Sequence, residues 1–368
     1  MSDGGALFRA GARVVRQGLA ERLYVATRID YTRPVSIRAF LTERCNYRCL
    51  YCDHWRQDHY ASEMGLPQWT DVIAGLRAYL GRCTIQFIGG EPLIRRDLYP
   101  LFGLCREQGI DWGICSNGFA FRSSVAAMLL DAHPLNIDLS IDSADADVHD
   151  RLRGVPGSFG RLRAGLDHLI ACRARAGART LIRIKTTVSR DNFRDLPQLV
   201  DLCSGLAGVV VDFSPVRLWR EHEIEALYVR RDDDLRDLDE VVEHLVDRKN
   251  GGAPIETSVE KLRAIGPHFR GERQFHGYAE CRAGLRSLEI RPDGEVRHCW
   301  GMPAIGNIVG QSVKALWEGA QRADVLPRTL VCEHAGTGLC ATACTSHRTL
   351  PQEIRRGLTW LSSRRGVA

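Results

Sequence analysis

The sequence predicts an α/β protein built on a parallel sheet, followed by a small cysteine-rich region. Three observations carry that reading. From Val35 onward, six short segments rich in β-branched and apolar residues alternate with helical stretches. Three cysteines, Cys45, Cys49 and Cys52, crowd the loop after the first segment. Five more, Cys281, Cys299, Cys332, Cys340 and Cys344, appear after that alternation has ceased.

Taken in order, the strands are expected at 35–41, 83–88, 112–115, 136–141, 181–188 and 208–213. Helices are expected at 69–80, 97–108, 123–131, 158–176 and 196–203. Each connection is long enough for a crossover helix, which makes neighbouring strands parallel and places helices outside the sheet. Six units fall short of the eight in a closed barrel. Ahead of them, 1–34 holds an amphipathic helix (Ala6 to Leu23) whose Leu7, Val14, Val15, Leu19 and Leu23 loosely share a face. It is expected to cap the barrel rather than lie on a membrane surface. The stretch before Cys45 is too short for a separate leader-peptide-binding domain of about 80 residues. After Arg217 comes a charge-dense helix with Leu235, Leu238, Val241, Val242 and Leu245 at helical spacing. Gly251-Gly-Ala-Pro254 breaks it. The expected division is therefore 1–34, a core at 35–217, a helical linker at 218–275, a cysteine-rich domain at 276–350 and a tail at 351–368.

Composition narrows the class. The 368 residues are 44% apolar and 26% charged, as in an ordinary globular chain. A net charge of +5 is too mild to argue for nucleic acid. No apolar run is long enough to span a bilayer, and no secretory signal is visible. Thirteen cysteines, an odd number, without an export signal point to a reducing cytoplasm and to metal ligation rather than disulfides. Cys83, Cys105, Cys115, Cys172 and Cys203 fall inside strand or helix patterns, where inert buried thiols are the default.

Three thiolates on one loop grip a metal centre without saturating it. A tetrahedral zinc takes four ligands; a four-iron cluster takes one ligand per iron, so three cysteines leave one iron open. A zinc knuckle with a distant fourth ligand, or plain buried thiols, are the alternatives that spacing leaves standing. The CxxxCxxC loop, with Tyr51 just before its third cysteine, resembles the radical S-adenosylmethionine (SAM) superfamily, and Gly89-Gly90-Glu91-Pro92 is similar to that family's GGEP motif. The resemblance implies a partial (β/α)6 TIM-like barrel, open on one side. It implies that Cys45, Cys49 and Cys52 hold a [4Fe-4S] cluster whose open iron is chelated by SAM. One electron would then split SAM into methionine and a 5′-deoxyadenosyl radical, which takes hydrogen from a substrate.

Sites in such barrels lie where strands end and loops begin. The second strand ends at Gly89, Gly90, Glu91 and Pro92, the third at Ser116-Asn117-Gly118, and the fourth at Ser140-Ile-Asp142-Ser143. By resemblance these, with Tyr51, border the cofactor: the GGEP loop contacts the methionine amino group, and Ser140 and Asp142 its carboxylate or ribose. Ser143 stands where relatives have glycine. His149-Asp-Arg151-Leu-Arg153-Gly154 resembles the R-x-x-R-G segment of molybdopterin-synthesis and sulfatase-maturation relatives. On the fifth strand Arg183, Lys185 and Thr187 share a face, expected to be the lumen. Lys185, Arg183, Arg217 and Tyr60 are acid/base candidates on position alone.

Near the end, residues 288–299 read as a β-hairpin turning at Pro292-Asp293-Gly294. Twelve residues separate Cys281 from Gly294 and four separate Gly294 from Cys299, which resembles the first half of the SPASM/twitch extension of radical SAM enzymes. The full SPASM pattern is not met: Ala335 replaces one cysteine, and none follows Cys344. One auxiliary [4Fe-4S] cluster is then implied, on Cys281, Cys299, Cys344 and either Cys340 (preferred) or Cys332; a zinc ribbon is the alternative. The expected function is hydrogen abstraction from a small polar substrate, a sugar, aminocyclitol or nucleoside, in a dehydrogenation or related tailoring step of natural-product biosynthesis. Flavodoxin or ferredoxin would supply the electron, with neither nucleic acid nor membrane as partner. Modification of a peptide side chain, redox-neutral epimerisation or decarboxylation, and a non-catalytic iron–sulfur protein are the alternatives.

Overall fold

The computed structural model describes residues 3–56, 62–217, 225–272 and 280–333. Its centre is one nine-stranded sheet in the order β6-β5-β4-β3-β2-β1-β7-β8-β9. The strands are β1 Ser36–Phe40, β2 Thr84–Ile88, β3 Asp111–Ser116, β4 Asn136–Ser140, β5 Leu181–Val188 and β6 Val209–Pro215. After them come β7 Ser287–Ile290, β8 Glu295–Arg297 and the two-residue β9 Gly306–Asn307. The first six pair in parallel, as their alternation with helices requires. The cysteine-rich region does not stand apart from them. β7 pairs in parallel with β1, Ser36 opposite Ser287 and Ala39 opposite Ile290, and β8 and β9 follow antiparallel. The expected hairpin is present, and Gly294 at its turn has φ +85°, a conformation that favours glycine.

The helices α1 Asp3–Thr27, α2 Leu66–Leu80, α3 Tyr99–Glu107, α4 Ser123–Asp131, α5 Ala146–Arg153, α6 Ser158–Ala176, α7 Leu196–Ser204 and α8 Asp232–Asn250 follow the expected order. Of these eight only α5 has no counterpart in the sequence reading, and the later helices Val313–Glu318 and Ala320–Leu330 have none either. α5 is short and polar, and it forms because the Asp145 carboxylate accepts from the backbone N–H of Asp147 and Val148 at 2.9 and 3.0 Å.

Strand alternation separates the two faces of the sheet. On β5, Ile182, Ile184, Thr186 and Val188 are buried beneath the helices, while Leu181, Arg183, Lys185 and Thr187 are half-buried on the concave face. The core under the helices is aromatic at its centre: Phe102 stacks on Trp112 with ring centroids 4.7 Å apart, and Phe87 packs edge-on against Phe102. Beyond the charge-dense helix, Pro254 O and Glu256 N bond the backbone of Val211, so this segment runs along the outer edge of β6. At the other side Glu21 of α1 is fully buried against Arg286 and Gln17, which ties α1 to the start of β7. No helix among the described residues is long and apolar enough to cross a membrane.

Three buried histidines, His149, His268 and His298, each pushed from 6.5 down to about 4 by burial, make stability depend on pH. His268 Nε2 lies 2.7 Å from Val216 O and 2.8 Å from Tyr228 Oη, and burial pushes its pKa from 6.5 down to about 4. A histidine depressed on folding contributes stability above its unfolded pKa and loses it as pH falls. Urea midpoints are therefore expected to fall between pH 6.5 and 4, and His268→Gln to remove its own share of that slope, the equivalent of roughly 2 kcal/mol, leaving the share of His149 and His298.

Candidate iron–sulfur active site

Along the loop after β1 burial alternates from residue to residue. Glu43, Tyr47 and Cys49 are buried and Cys45 is half-buried, whereas Arg44, Asn46, Arg48 and Leu50 are exposed. Cys45 and Cys49 lie close enough for their charges to act on one another. Cys52 closes the group through its N–H to Cys49 O at 3.2 Å.

Two neighbouring strand ends hold this loop. On one side Gly90 N and Glu91 N donate to Thr42 O and Arg44 O at 2.8 and 2.9 Å. The approach leaves no room for side chains: a Cβ on Gly89 would sit 2.3 Å from Thr42 O, and one on Gly90 2.1 Å from Arg44 O. Glu91 itself turns inward. It is buried, accepts from Leu93 N, Ser116 Oγ and Asn117 N at 3.1, 2.8 and 2.6 Å, and is pushed by burial to a pKa of about 7. Its side chain thus joins the ends of β2 and β3, and its charge acts on Cys45 of the loop. Asn117 reaches that loop directly, donating from Nδ2 to Asn46 Oδ1 at 2.8 Å, with Cys45 Sγ 3.9 Å away.

On the other side, α5 and the end of β4 form a clamp. Arg48 N and Leu50 N donate to Arg153 O and Leu152 O at 3.2 and 2.9 Å. Asp142, fully buried, accepts from Tyr51 Oη at 2.6 Å, Arg153 Nη2 at 2.9 Å and Thr187 N at 3.0 Å, with Arg153 Nε 2.8 Å away. Its two oxygens are thereby engaged within the protein, where the sequence reading set Asp142 at the cofactor carboxylate or ribose. Arg153 also lies 3.8 Å from Cys49 Sγ and over the Tyr51 ring. Ser140 stays half-buried at the end of β4.

The thiols suit iron better than they suit themselves. Burial, with repulsion from Glu91 and the other two cysteines, pushes Cys45 up to about 12; burial and Cys49 push Cys52 up to about 11, and burial raises Cys49. Such thiols stay protonated until a metal takes the proton's place. Among the described residues no three Cys, His, Asp or Glu side chains converge on one ion. The second site is partly described. Cys281 is buried, and its N–H reaches Leu330 O at 3.3 Å, two residues before the half-buried Cys332. Cys299 follows β8, where His298 Nδ1 lies 3.0 Å from Ser287 O. Cys340, Cys344 and Tyr60 lie outside the described residues.

The concave face below the loop is lined by paired charges. Arg183 holds Asp138 at 3.2 Å and Glu256 at 2.7 Å, Lys185 pairs with Asp212, and Arg38 with Glu289. Arg217, at the end of β6, adds its positive charge near Glu289. Although burial opposes it, the carboxylates hold Lys185 and Arg183 above their ordinary pKa values. Both stand on this face as ion-paired cations, where the sequence analysis named them as acid/base candidates. Asp138 was not singled out from the sequence; its signal is the β4 alternation Asn136, Asp138, Ser140. Glu43, His54 and Arg291 were missed too. Glu43 pairs with both His54 and Arg291, and the Arg291 guanidinium sits 4.6 Å from the Phe40 ring and 4.5 Å from the Trp300 ring.

A parallel partial barrel with a three-thiol loop at the carboxyl end of its first strand defines a class, the barrel proteins that carry an iron–sulfur cluster at their strand ends. Residues 40–183 match the Radical SAM superfamily and residues 281–345 the SPASM iron–sulfur cluster-binding domain. The chain belongs to the radical SAM superfamily and carries a C-terminal SPASM domain. It is 26% identical over 301 residues to an AdoMet-dependent heme synthase of Methanosarcina barkeri, covering 76% of this chain and 81% of that protein. It is 24% identical over 295 residues to a PqqA peptide cyclase of Methylobacterium sp. strain 4-46, covering 79% and 71%. Three other matches, to heme and Fe-coproporphyrin III synthases, reach 39% to 44% of those proteins' lengths. In fold it is similar to Streptococcus suis SuiB bound to S-adenosylmethionine, with a TM-score of 0.66 at 18% identity over 89% of this chain and 76% of that one. The cofactors are a SAM-binding [4Fe-4S] cluster, SAM and an auxiliary cluster.

Removing the anion of the clamp leaves Arg153 buried beside Cys49 with no carboxylate. Asp142→Ala is expected to cost about 3 kcal/mol in chemical denaturation and to lower the iron retained after anaerobic reconstitution.

Proposed function

We propose that this radical SAM enzyme abstracts hydrogen from a polar substrate held against the concave face, in an oxidative tailoring step on a sugar-, aminocyclitol- or nucleoside-like molecule. The observation that carries the reading is the row of charges on that face, Arg38–Glu289, Asp138–Arg183–Glu256 and Lys185–Asp212, at and below the strand ends that hold the cysteine loop. Such a surface offers donors and acceptors to hydroxyl, amino and carboxylate groups and gives little to an apolar ligand.

When bound, SAM and its cluster on Cys45, Cys49 and Cys52 supply the 5′-deoxyadenosyl radical, and the auxiliary cluster an acceptor for a second electron. This chain's residues do the rest. The backbone of Gly89 to Glu91 and the Asp142–Arg153–Tyr51 clamp orient the loop. Arg183 and Lys185 donate hydrogen bonds to substrate oxygens, and Asp212, held below the usual carboxylate range by Lys185 against its own burial, stays an acceptor.

A second reading, modification of a peptide side chain, is supported by the PqqA peptide cyclases, which align with most of this chain. The reconstituted protein with reductant is expected to form 5′-deoxyadenosine, and Cys45→Ala to abolish it. Deuterated sugar and peptide panels then separate the readings: label entering 5′-deoxyadenosine from the sugar-like compounds supports the first, and label from peptides alone replaces it with the second. Lys185→Met is expected to raise KM about tenfold with kcat less affected, as loss of one charge-assisted hydrogen bond to bound substrate does.

A further inference from the structure

The first helix, α1, turns its apolar stripe to solvent. On its inner side Gln17 and Glu21 are buried, Gln17 donating to Leu285 O at 2.8 Å and Glu21 held by Arg286, with Ala20 and Tyr24 buried beside them. Val15, Leu19 and Leu23 stand at i, i+4 and i+8 on the opposite side, exposed by 38%, 55% and 38%. A surface helix ordinarily presents such a stripe to the core. In α1 a glutamine and a glutamate take much of the inner side, and three large apolar side chains are left outside.

The chain leaves the described residues beside this helix. Helix Ala320–Leu330 brings Leu326 and Leu330 into one small buried cluster with Tyr24 of α1 and Leu285. Leu330 O accepts from Cys281 N at 3.3 Å, and the next residue, Arg282, lies 3.7 Å from Glu21 of α1. Val331, one step further along, is 81% exposed. The sequence then runs on from 334 to 368, and its last part carries helix signals at both ends. Thr349-Leu-Pro-Gln352 has the form of a capping box with proline in the first turn, and Arg364-Arg365-Gly366 has the form of a helix end. Between them Leu350, Ile354, Leu358 and Leu361 fall at helical spacing, which makes a second apolar stripe.

We propose that the outer stripe of α1 is the docking surface for this chain's own C-terminal segment, residues 350–361, with the two apolar stripes packed on each other. The inference does not rest on the function proposed above and holds whatever the substrate. Reach is ample: the residues from 334 to 349 extend up to about 3.4 Å each, against roughly 12 Å of helix between Val15 and Leu23. Tethering also favours this occupant over a separate molecule, because a segment on a short linker is present at an effective concentration in roughly the millimolar range. Once docked, the segment braces α1 from outside, while Arg282 and Arg286, which follow Cys281, hold it from inside.

The test uses the full reconstituted chain with Leu19→p-benzoylphenylalanine, a photo-crosslinking side chain at an exposed position, and maps the products by mass spectrometry. Crosslinks from position 19 to residues 350–361 of the same molecule are expected, and mixing isotopically light and heavy chains tells them from crosslinks between copies. In parallel, hydrogen exchange over residues 15–27 is compared among wild type, Leu19→Glu, Ile354→Glu and Leu358→Glu. The two distant substitutions are expected to quicken exchange of the α1 amides about tenfold, as Leu19→Glu does, with iron content unchanged. Leu19→Ser and Ile354→Ser take their place should a new charge impair folding. Light–heavy crosslinks would assign the stripe to a second copy. Loss of the internal crosslink on adding anionic phosphatidylglycerol vesicles, with binding to them that needs Leu19, would assign it to a lipid surface. Either result, no crosslink to 350–361, or α1 exchange unmoved by the changes at 354 and 358 would overturn the proposal.

Discussion

The contact on which the rest depends is the buried pairing of Asp142 with Arg153 and Tyr51. Tyr51 belongs to the cysteine loop, Asp142 to the end of β4 and Arg153 to the last turn of α5, so one carboxylate joins three separate pieces of chain. A charge pair this deeply buried stabilises little in itself, because desolvation offsets most of the attraction. Its effect is positional. An uncompensated guanidinium beside Cys49 is costly, so the loop has one low-energy placement, with its thiols grouped before any iron arrives. The backbone bonds to Thr42 and Arg44 from the opposite side complete the grip. A loop held from two strand ends is already arranged for its cofactor, and little ordering is left to oppose binding.

The six strands and their helices were legible because each buries one face, and alternation of apolar and polar residues is what that burial leaves in a sequence. The cysteine loop and the glycine pair were legible for a different reason: close backbone approach admits only glycine, and thiol spacing is set by the chemistry. What stayed hidden was pairing between distant segments. Nothing near Glu289 shows that its partner is Arg38, about 250 residues earlier. Nothing around Asp142 shows that its oxygens turn to Tyr51 and Arg153 rather than to a ligand. The helix α5 was hidden too, because it lacks an apolar stripe and owes its start to a capping aspartate.

β7 changes how the C-terminal region should be understood. An exposed parallel strand edge is a hazard, and proteins cover or pair such edges. Here β1, which carries the cysteine loop, would be that edge, and β7 pairs with it along its length. Leu288 and Ile290 are fully buried within the same hydrophobic core as Ile37 and Ala39. The auxiliary region therefore completes the barrel's sheet while it builds its own site.

That continuity has a consequence for how the two sites are related. Independent domains joined by a linker keep relative motion unless their interface is large and apolar. Here the link is the sheet itself, reinforced where the hairpin turn meets the cysteine loop: Pro292 O accepts from Met64 N at 2.6 Å, and Arg291 pairs with Glu43, which also holds His54, two residues past Cys52. Trp300, next to Cys299, covers the other side of the Arg291 guanidinium. The residues nearest the two sets of thiols are thus in contact through one arginine held between two aromatic rings. Strand register and this contact together fix Cys299 relative to the cysteine loop. Under the function proposed above, selection among substrates falls to the charged side chains of the concave face, none of which belongs to the contacts that hold the cysteine loop.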